Sequence, residues 1–162
     1  MNYKILLLIV TSAFLFLNCN NKNPQKKNLI KAIETEKVQK IGYSLFGGWI
    51  GSGYNIVITP DSIHYFYEVM SFEPSEKGKY DTLTSPELWL DLMGKLDLNT
   101  FEKIESTPSM QMVDGSDREY FIETNKRRLY FLNGEDGEDF TKLKDFFDTI
   151  VMLERECKEK AK

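Results

Sequence analysis

Residues 54–67, YNIVITPDSIHYFY, form two runs of alternating apolar and polar side chains around Pro60-Asp61. Alternation with a period of two is typical of strands that bury one face of a sheet. Pro presets the φ angle of a turn and Asp can hydrogen-bond back to its own backbone, so this dipeptide predicts a hairpin loop. One face of the hairpin is then apolar or aromatic. The predicted cross-strand pairs are Ile58 with Ile63, Ile56 with Tyr65 and Tyr54 with Tyr67.

A second hairpin is predicted from Arg118 to Thr124 and from Arg127 to Leu132, around Asn125-Lys126. Asn tolerates the positive φ angles that short hairpin loops require. A further strand is predicted from Val38 to Phe46. The predicted pairs of the second hairpin are Ile122 with Leu129 and Tyr120 with Phe131 on one face, and Glu123 with Arg128 on the other.

Helices are predicted after each group of strands. Ser85-Pro86-Glu87 is a typical helix start, because a hydroxyl caps the helix, Pro fits its first turn and the acid favours the positive end of its dipole. A short helix follows from Thr100 to Glu105 with Asn99 as its cap, and a last helix runs from an Asp139 cap to about Glu156. This order predicts an α+β fold with an antiparallel sheet built from two β-hairpin-plus-helix units and helices packed on one face. The apolar stripe of the first helix is Leu88, Trp89, Leu92, Met93 and Leu96.

The N-terminus predicts an exported protein. Lys4 precedes an apolar run of 13 residues, Ile5 to Leu17, and Asn18-Cys19 follows. This run is too short for a spanning helix and is typical of a secretory signal. The arrangement resembles a bacterial lipoprotein signal, in which the peptide is cut before the cysteine and the sulfur receives lipid. Asn18 stands where such signals usually carry a small residue, a loosened form similar to those of Bacteroidota. The alternative is an ordinary signal peptide that contains a cysteine, but no small-x-small cleavage site lies nearby.

The predicted organisation is a signal peptide over 1–18, a flexible tether over 19–36 and one α+β domain over 37–162. The resemblance implies a lipoprotein of the bacterial cell envelope, anchored to a membrane through lipid on Cys19. The outer membrane is the favoured location, with the leaflet left open. Removal of residues 1–18 changes the formal net charge from −4 to −5. A mildly acidic chain lacks the concentrated basic face of nucleic-acid-binding proteins, so no nucleic acid is expected as a partner.

The domain itself has motifs that resemble those of small uncharacterised Bacteroidota lipoproteins over about Ile41 to Leu153. The resemblance implies the fold and the location only, and brings no catalytic residue or ligand. The residues that carry it are Tyr43-Ser-Leu-Phe-Gly-Gly48, Asn55-Ile-Val-Ile-Thr-Pro-Asp-Ser-Ile63, Pro86-Glu-Leu-Trp89, Leu96-Asp-Leu-Asn-Thr-Phe101 and Asp114-Gly115.

The glycine-rich segment from Gly47 to Gly53 is the candidate binding region. A phosphate-binding loop would lead into a helix, whereas here another strand follows. The glycines can serve a wide hairpin or bulge in which Trp49 folds back onto the core. Alternatively Phe46, Trp49 and Ile50 project from a loop tip and bind a partner, such as another protein of the envelope.

Other candidate sites match no defined chemistry, and no cofactor or metal is expected. Asn133 to Asp139 contains four carboxylates, but their spacing is not that of a calcium loop, and they are expected to solvate a turn. His64 is the single histidine, and is expected on the surface of its strand. It could form a Ser-His-Asp arrangement with Ser44 or Ser62, but no nucleophile-elbow motif is present. No carboxylate pair can be selected from 25 acidic residues.

One thiol remains once Cys19 carries lipid. Cys157 lies in a charged segment that is expected at a fraying helix end. The sequence therefore predicts a lipid-anchored binding or interaction module rather than an enzyme, with no catalytic residue assigned. The alternative is a small envelope hydrolase that uses acidic residues with His64.

Overall fold

The computed structural model describes residues 35–48, 51–70 and 76–161. The strands in these ranges are β1 (Val38–Gly47), β2 (Ser52–Ile58), β3 (Ser62–Val69), β4 (Glu76–Leu83), β5 (Ser116–Thr124) and β6 (Arg128–Leu132). They form one antiparallel sheet with the order β4-β3-β2-β1-β5-β6. Strand β1, the first in the described ranges, therefore lies in the middle of the sheet, and the α+β class is confirmed.

The registers of both predicted hairpins are confirmed. In β2 and β3, Ile58 pairs with Ile63, and the other two predicted pairs of that hairpin are also formed. In β5 and β6, Tyr120 pairs with Phe131, and the remaining predicted pairs match as well. Burial of one face fixes such a register, since a slip by one residue would move every apolar side chain to the opposite face.

Strand β4 was not predicted from the sequence. It pairs with β3 along its whole length and extends the first hairpin into a four-stranded meander. Its sequence, EKGKYDTL, is mostly charged or polar, and no side chain in it is fully buried. Charged side chains on an edge strand discourage pairing with other chains. Hydrophobic periodicity does not reveal a strand of this kind.

The helices are α1 (Pro86–Lys95), α2 (Leu98–Phe101), α3 (Glu138–Lys142) and α4 (Lys144–Lys160). Ser85 caps α1 as predicted, with its hydroxyl accepting a hydrogen bond from the backbone N–H of Leu88. Two predicted caps are wrong. Asp97 rather than Asn99 caps α2, because Asp97 has the extended backbone of a cap and its carboxylate accepts from the N–H of Asn99 at 3.1 Å. Asp139 lies inside α3 and pairs with Lys142 at 2.9 Å.

The predicted last helix is divided in two at Leu143 and extends further than expected, to Lys160. Cys157 is therefore in a well-formed helix, where it is 3% exposed and belongs to the core. Burial raises the pKa of its thiol. The expected fraying helix end is wrong, because the apolar face of α4 continues past the charged residues that suggested it.

The core lies between the helices and one face of the sheet. Phe140 and Phe147 stack with ring centroids 4.1 Å apart, and Phe147 also contacts Tyr120 edge-on. We call the opposite side, against which no helix of the described ranges packs, the outer face of the sheet. None of the helices in the described ranges is long and apolar enough to cross a bilayer. The fully buried core side chains include Ile41, Ile56, Ile58, Tyr65, Leu92, Ile122, Phe131, Phe146, Phe147 and Ile150.

Glu36, the last residue of the predicted tether, is bonded to the hairpin of β5 and β6. Its carboxylate accepts hydrogen bonds from Nε of Arg127 and from Oγ1 of Thr124, both at 2.9 Å. The N–H of Lys37 donates to the side chain of Asn125 at 2.8 Å. These contacts hold residues 36 and 37 against the hairpin of β5 and β6, directly ahead of the first residue of β1 in the chain.

Candidate functional site

The turn from β1 to β2 lies at one end of the sheet and contains the glycine-rich segment. Gly47, Gly48 and Gly51 have φ angles of 107°, 79° and 63°, which side chains with a β-carbon rarely adopt. The N–H of Gly51 donates to the carbonyl of Gly48 and closes the turn. The prediction that glycine serves an unusual backbone here is supported at these three positions. Trp49 and Ile50 lie outside the described residues, so their contact with a partner stays a prediction.

A second loop packs against this turn. The N–H of Gly48 donates to the carbonyl of Gly115 at 3.1 Å. A β-carbon at Gly47 would lie 2.9 Å from Cγ of Gln111, so glycine is required there for space as well as for its φ angle. The loop includes the short 3-10 turn Gln111–Val113. The two loops therefore form one surface.

The surface around these loops is rich in exposed apolar side chains. Phe46 is 36% exposed, and Met112 is almost wholly exposed at 94%. Single exposed apolar side chains are ordinary, but neighbouring ones mark an interaction surface. Methionine is flexible and polarisable, and it is frequent on surfaces that adapt to a partner. We call this surface the apolar tip and define it by Phe46, Met70, Met110, Met112 and Val113.

A groove of about 490 Å³ runs from the apolar tip onto the outer face of the sheet. Phe46, Phe66 and Met70 provide its apolar walls. Glu68 is the one charged side chain among the described residues that line it. The groove can therefore receive an apolar side chain beside a polar or positively charged group. The other polar lining side chains are Ser44, Ser52, Asn55 and Gln111.

Asp117 holds the loop of the apolar tip in place. Its side chain is buried, with the residue 1% exposed, at the start of β5. Hydrogen bonds to this carboxylate, foremost that from Ser109, outweigh burial and hold its pKa well below the usual range. A buried carboxylate is tolerated only when such donors satisfy it. The four donors are Ser109 Oγ at 2.6 Å, Met110 N at 2.7 Å, Asn133 Nδ2 at 2.8 Å and Gln111 Nε2 at 2.9 Å.

A hydrogen-bonded line of Ser62, His64 and Asp81 lies on the outer face. Oγ of Ser62 is 2.9 Å from Nε2 of His64, and Nδ1 of His64 is 2.8 Å from Oδ1 of Asp81. The predicted surface position of His64 is confirmed, since both His64 and Asp81 are more than half exposed. The distances are those of a Ser-His-Asp triad.

Acyl transfer also requires donors that stabilise an oxyanion, and these are engaged elsewhere. The backbone N–H groups of Asp61 and Ser62 both donate to Oγ1 of Thr59, at 3.3 and 2.9 Å. Oγ of Ser62 also lies 3.0 Å from Oγ1 of Thr59. The line therefore joins β3 to β4, and the N–H groups of Asp61 and Ser62 are not free to act on a substrate. Ser44, the other serine considered with His64, lines the groove instead.

Three of the four carboxylates of the Asn133 to Asp139 segment, namely Asp136, Glu138 and Asp139, line the same surface pocket as Glu105, whereas Glu135 is not among its lining residues. Glu135 lies 3.7 Å from Arg118, whereas Asp139 pairs with Lys142. Glu138 also reaches Lys142, at 3.4 Å. Across the described ranges, no three His, Cys, Asp or Glu side chains are arranged to hold a metal ion.

The sequence predicted a binding role for Phe46 but did not single out the loop from Met110 to Gly115. One available indication was the presence of Met110, Met112 and Val113 in a segment without strand or helix periodicity. Apolar residues in such a segment have no sheet or helix face to bury them. In comparisons with known proteins, no family model matches the chain and no curated protein matches it.

Proposed function

We propose that this protein is a lipid-anchored binding module of the bacterial cell envelope, and that its apolar tip and groove bind a segment of a protein partner. The observation that carries the proposal is that the exposed Phe46 and Met70 line a groove with apolar walls. Met112 is exposed on the adjoining loop, next in the chain to Gln111, which also lines the groove. Burial of apolar side chains is the main favourable term in association, and a few central side chains supply most of it.

A protein segment fits this surface better than a membrane surface. Anionic lipid attracts lysine and arginine, and none lines the groove among the described residues. Glu68 would repel such lipid and would attract a basic side chain. The expected occupant is therefore a segment with an apolar or aromatic side chain next to Lys or Arg.

The anchor is the second part of the proposal. The lipoprotein signal that ends at Cys19, and the resemblance to Bacteroidota lipoproteins, support attachment to a membrane from outside the cytoplasm. Lipid chains contribute about 0.8 kcal/mol per buried methylene, so several chains on one cysteine suffice without a spanning helix. The residues from Cys19 to the domain would act as a tether that lets the tip reach a partner.

The decisive experiment is capture of a partner from solubilised envelope, with the anchored protein as bait. The Met112→Glu variant should lose the partner, because a charge at the tip opposes apolar burial. Met152→Glu is the matched control, since Met152 is also an exposed methionine but lies on α4. Trp49→Ala tests the predicted contribution of the undescribed part of the turn. Equal capture by wild type and Met112→Glu would contradict the proposed site.

A vesicle experiment separates the membrane from a protein partner. The Cys19→Ala protein, which lacks the lipid site, should not sediment with vesicles that contain anionic lipid. Sedimentation that Met112→Glu abolishes would show that the tip binds lipid, and would overturn the assignment of a protein segment.

A small envelope hydrolase is the second candidate, favoured by the alignment of Ser62, His64 and Asp81. A fluorophosphonate probe tests it directly, because an activated serine displaces fluoride and keeps the phosphonyl group on Oγ. Labelling of wild type but not of Ser62→Ala would support the hydrolase. Labelling no faster than that of free serine would exclude Ser62 as an activated nucleophile.

We also propose that the domain is organised as two hairpin-plus-helix units. The packing of Phe131 in β6 against Phe140 in α3, with ring centroids 6.1 Å apart, supports the second unit. Native-state hydrogen exchange tests the idea, because cooperative units exchange as groups. Two groups divided near residues 104–115 are expected, and a single group would contradict it.

A further inference from the structure

A second cavity, of about 310 Å³, lies on the helix side of the sheet, next to α4. It shares Leu45 and Tyr54 with the lining of the groove at the apolar tip. Small-molecule sites in proteins usually occupy about 300–1,000 Å³, so this cavity has room for a small ligand. We call it the polar cavity. The polar side chains that line it include Tyr43, Tyr54, Arg118, Glu135, Glu154 and Arg155.

Tyrosine side chains form the sheet side of the polar cavity. The hydroxyls of Tyr43 and Tyr54 are 2.9 Å apart and share a hydrogen bond. The ring of Tyr120 stacks on that of Tyr43 with centroids 4.5 Å apart. Burial raises the pKa of both Tyr54 and Tyr120, so their phenols stay neutral at physiological pH. The tyrosines therefore provide aromatic surface and neutral hydroxyls.

The two carboxylates of the polar cavity differ in how they are satisfied. Oε1 of Glu154 accepts a hydrogen bond from the hydroxyl of Tyr65 at 3.1 Å. Oε1 of Glu135 is buried and has no hydrogen-bond donor within the described ranges. Nη1 of Arg118 is 3.7 Å from it, which is too long for a hydrogen bond. A carboxylate oxygen without a donor is costly, and the side chain of Glu135, which is 23% exposed, would gain from a ligand ammonium group.

Arg155 supplies a positive charge from α4. It forms no ion pair with any residue of the described part of the chain. The planar guanidinium fork of arginine is suited to bidentate binding of a carboxylate. The formal charges of the two arginines and two glutamates cancel, so neither a net anion nor a net cation is favoured.

From these features we infer that the polar cavity binds a small zwitterion that carries an ammonium group and a carboxylate, such as an amino acid or a dipeptide. The ammonium group lies at Glu135 and the carboxylate at Arg155. The apolar part of the ligand packs on the tyrosine rings. This ligand matches the presence of both charge signs in the lining and the net neutrality of the cavity.

Isothermal titration of the full chain, purified in detergent, with L-alanyl-L-alanine tests the inference. Binding heat is expected for this dipeptide. N-acetylation removes the ammonium group and C-terminal amidation removes the carboxylate, and each should weaken binding about tenfold or more. Absence of heat with millimolar dipeptide, or equal binding of a dipeptide capped at both ends, would overturn the proposal.

Variants assign the two ends of the ligand. Glu135→Gln should bind the free and the N-acetylated dipeptide equally. Arg155→Gln should bind the free dipeptide and its C-terminal amide equally. Glu156→Gln is the matched control, because Glu156 is an exposed neighbour that does not line the cavity. Arg155 is also exposed, so its variant tests the site even if Glu135→Gln fails to fold. Unchanged preferences in both variants would contradict the assigned orientation.

Discussion

The ring of Phe121 covers Gly42 on the neighbouring strand so closely that a β-carbon at position 42 would lie 1.9 Å from Cε1 of the ring. The guanidinium of Arg128 lies over the same ring, 4.2 Å from its centroid. Phe121 is consequently only 9% exposed, although it belongs to the outer face of the sheet. A glycine on one strand thus creates the space for an aromatic side chain on the next.

The Gly42→Ala variant should destabilise the protein by about 1–3 kcal/mol, because the added methyl group displaces the ring towards solvent. Denaturation by urea measures the change in the free energy of unfolding. Gly94→Ala is the control, since no atom lies within 4 Å of a β-carbon there. It should stabilise α1 by about 0.5–1 kcal/mol, as alanine is the better helix former. An unchanged midpoint for Gly42→Ala would show that the ring is not held against the glycine.

The Asp117→Asn variant should lower the melting temperature at neutral pH by about 5 °C or more. Each oxygen of the Asp117 carboxylate accepts two hydrogen bonds. The side-chain nitrogen of the new asparagine would therefore face two donors in either orientation of the amide. Asp61→Asn, at an exposed position in the turn between β2 and β3, should leave the melting temperature unchanged. Equal melting of the two variants would contradict the structural role of Asp117.

Acid should weaken the protein through the same carboxylate. The folded-state pKa of Asp117 is depressed, so its contribution to stability is present above the unfolded-state pKa of about 3.9 and is lost as the pH falls through the folded-state value. Wild type should therefore lose stability below about pH 4 more steeply than Asp117→Asn. Urea denaturation of both proteins at neutral and acidic pH measures this difference, and parallel losses would oppose the assignment.

Alkali should also lower the stability of the protein, in this case through the buried tyrosines. Burial raises the pKa of Tyr54, Tyr65 and Tyr120, which keeps these phenols protonated in the folded state. The unfolded chain releases its phenolic protons near pH 10, so stability should fall as the pH rises above that value. Phenolate absorbance of the eight tyrosines should show a late group in the folded protein and one transition in urea. A single transition in both states would contradict the burial.

The Cys19→Ala variant should leave the membrane fraction, because it removes the sulfur that is expected to carry lipid. Detergent phase partition measures the change. Cys157→Ala is the matched control, since Cys157 is buried in the core and should not affect attachment. Retention of Cys19→Ala in the membrane fraction would contradict the proposed anchor.

The two hairpins were predictable because alternation and a short turn together leave one register that buries a whole face. Strand β4 was not, since its pairing with β3 is formed by the backbone of a charged segment. Helix caps depend on which of several nearby polar residues has the extended backbone, and this is why Asp97 was missed in favour of Asn99, two residues later.

The candidate site was predictable only in part. Phe46 and the glycines predicted an unusual turn. The loop that packs against this turn is held by Asp117, which accepts a hydrogen bond from Asn133, and Asn133 follows β5 and β6 in the chain. The polar cavity could not be foreseen, because nothing in the sequence distinguishes Glu135 and Glu154 among 25 acidic residues. Tertiary contacts between distant segments make that selection.

The position of α4 also sets the time at which the chain can fold. Phe147 and Ile150 of α4 complete a core whose other half is contributed by strands synthesised much earlier. Strand β1 likewise has an open edge until β5 emerges from the ribosome. In the export proposed for this protein, the N-terminal segment would reach a translocation machinery before the core can close. Late closure would then favour passage through a narrow channel, because the chain has not yet folded when it meets that channel.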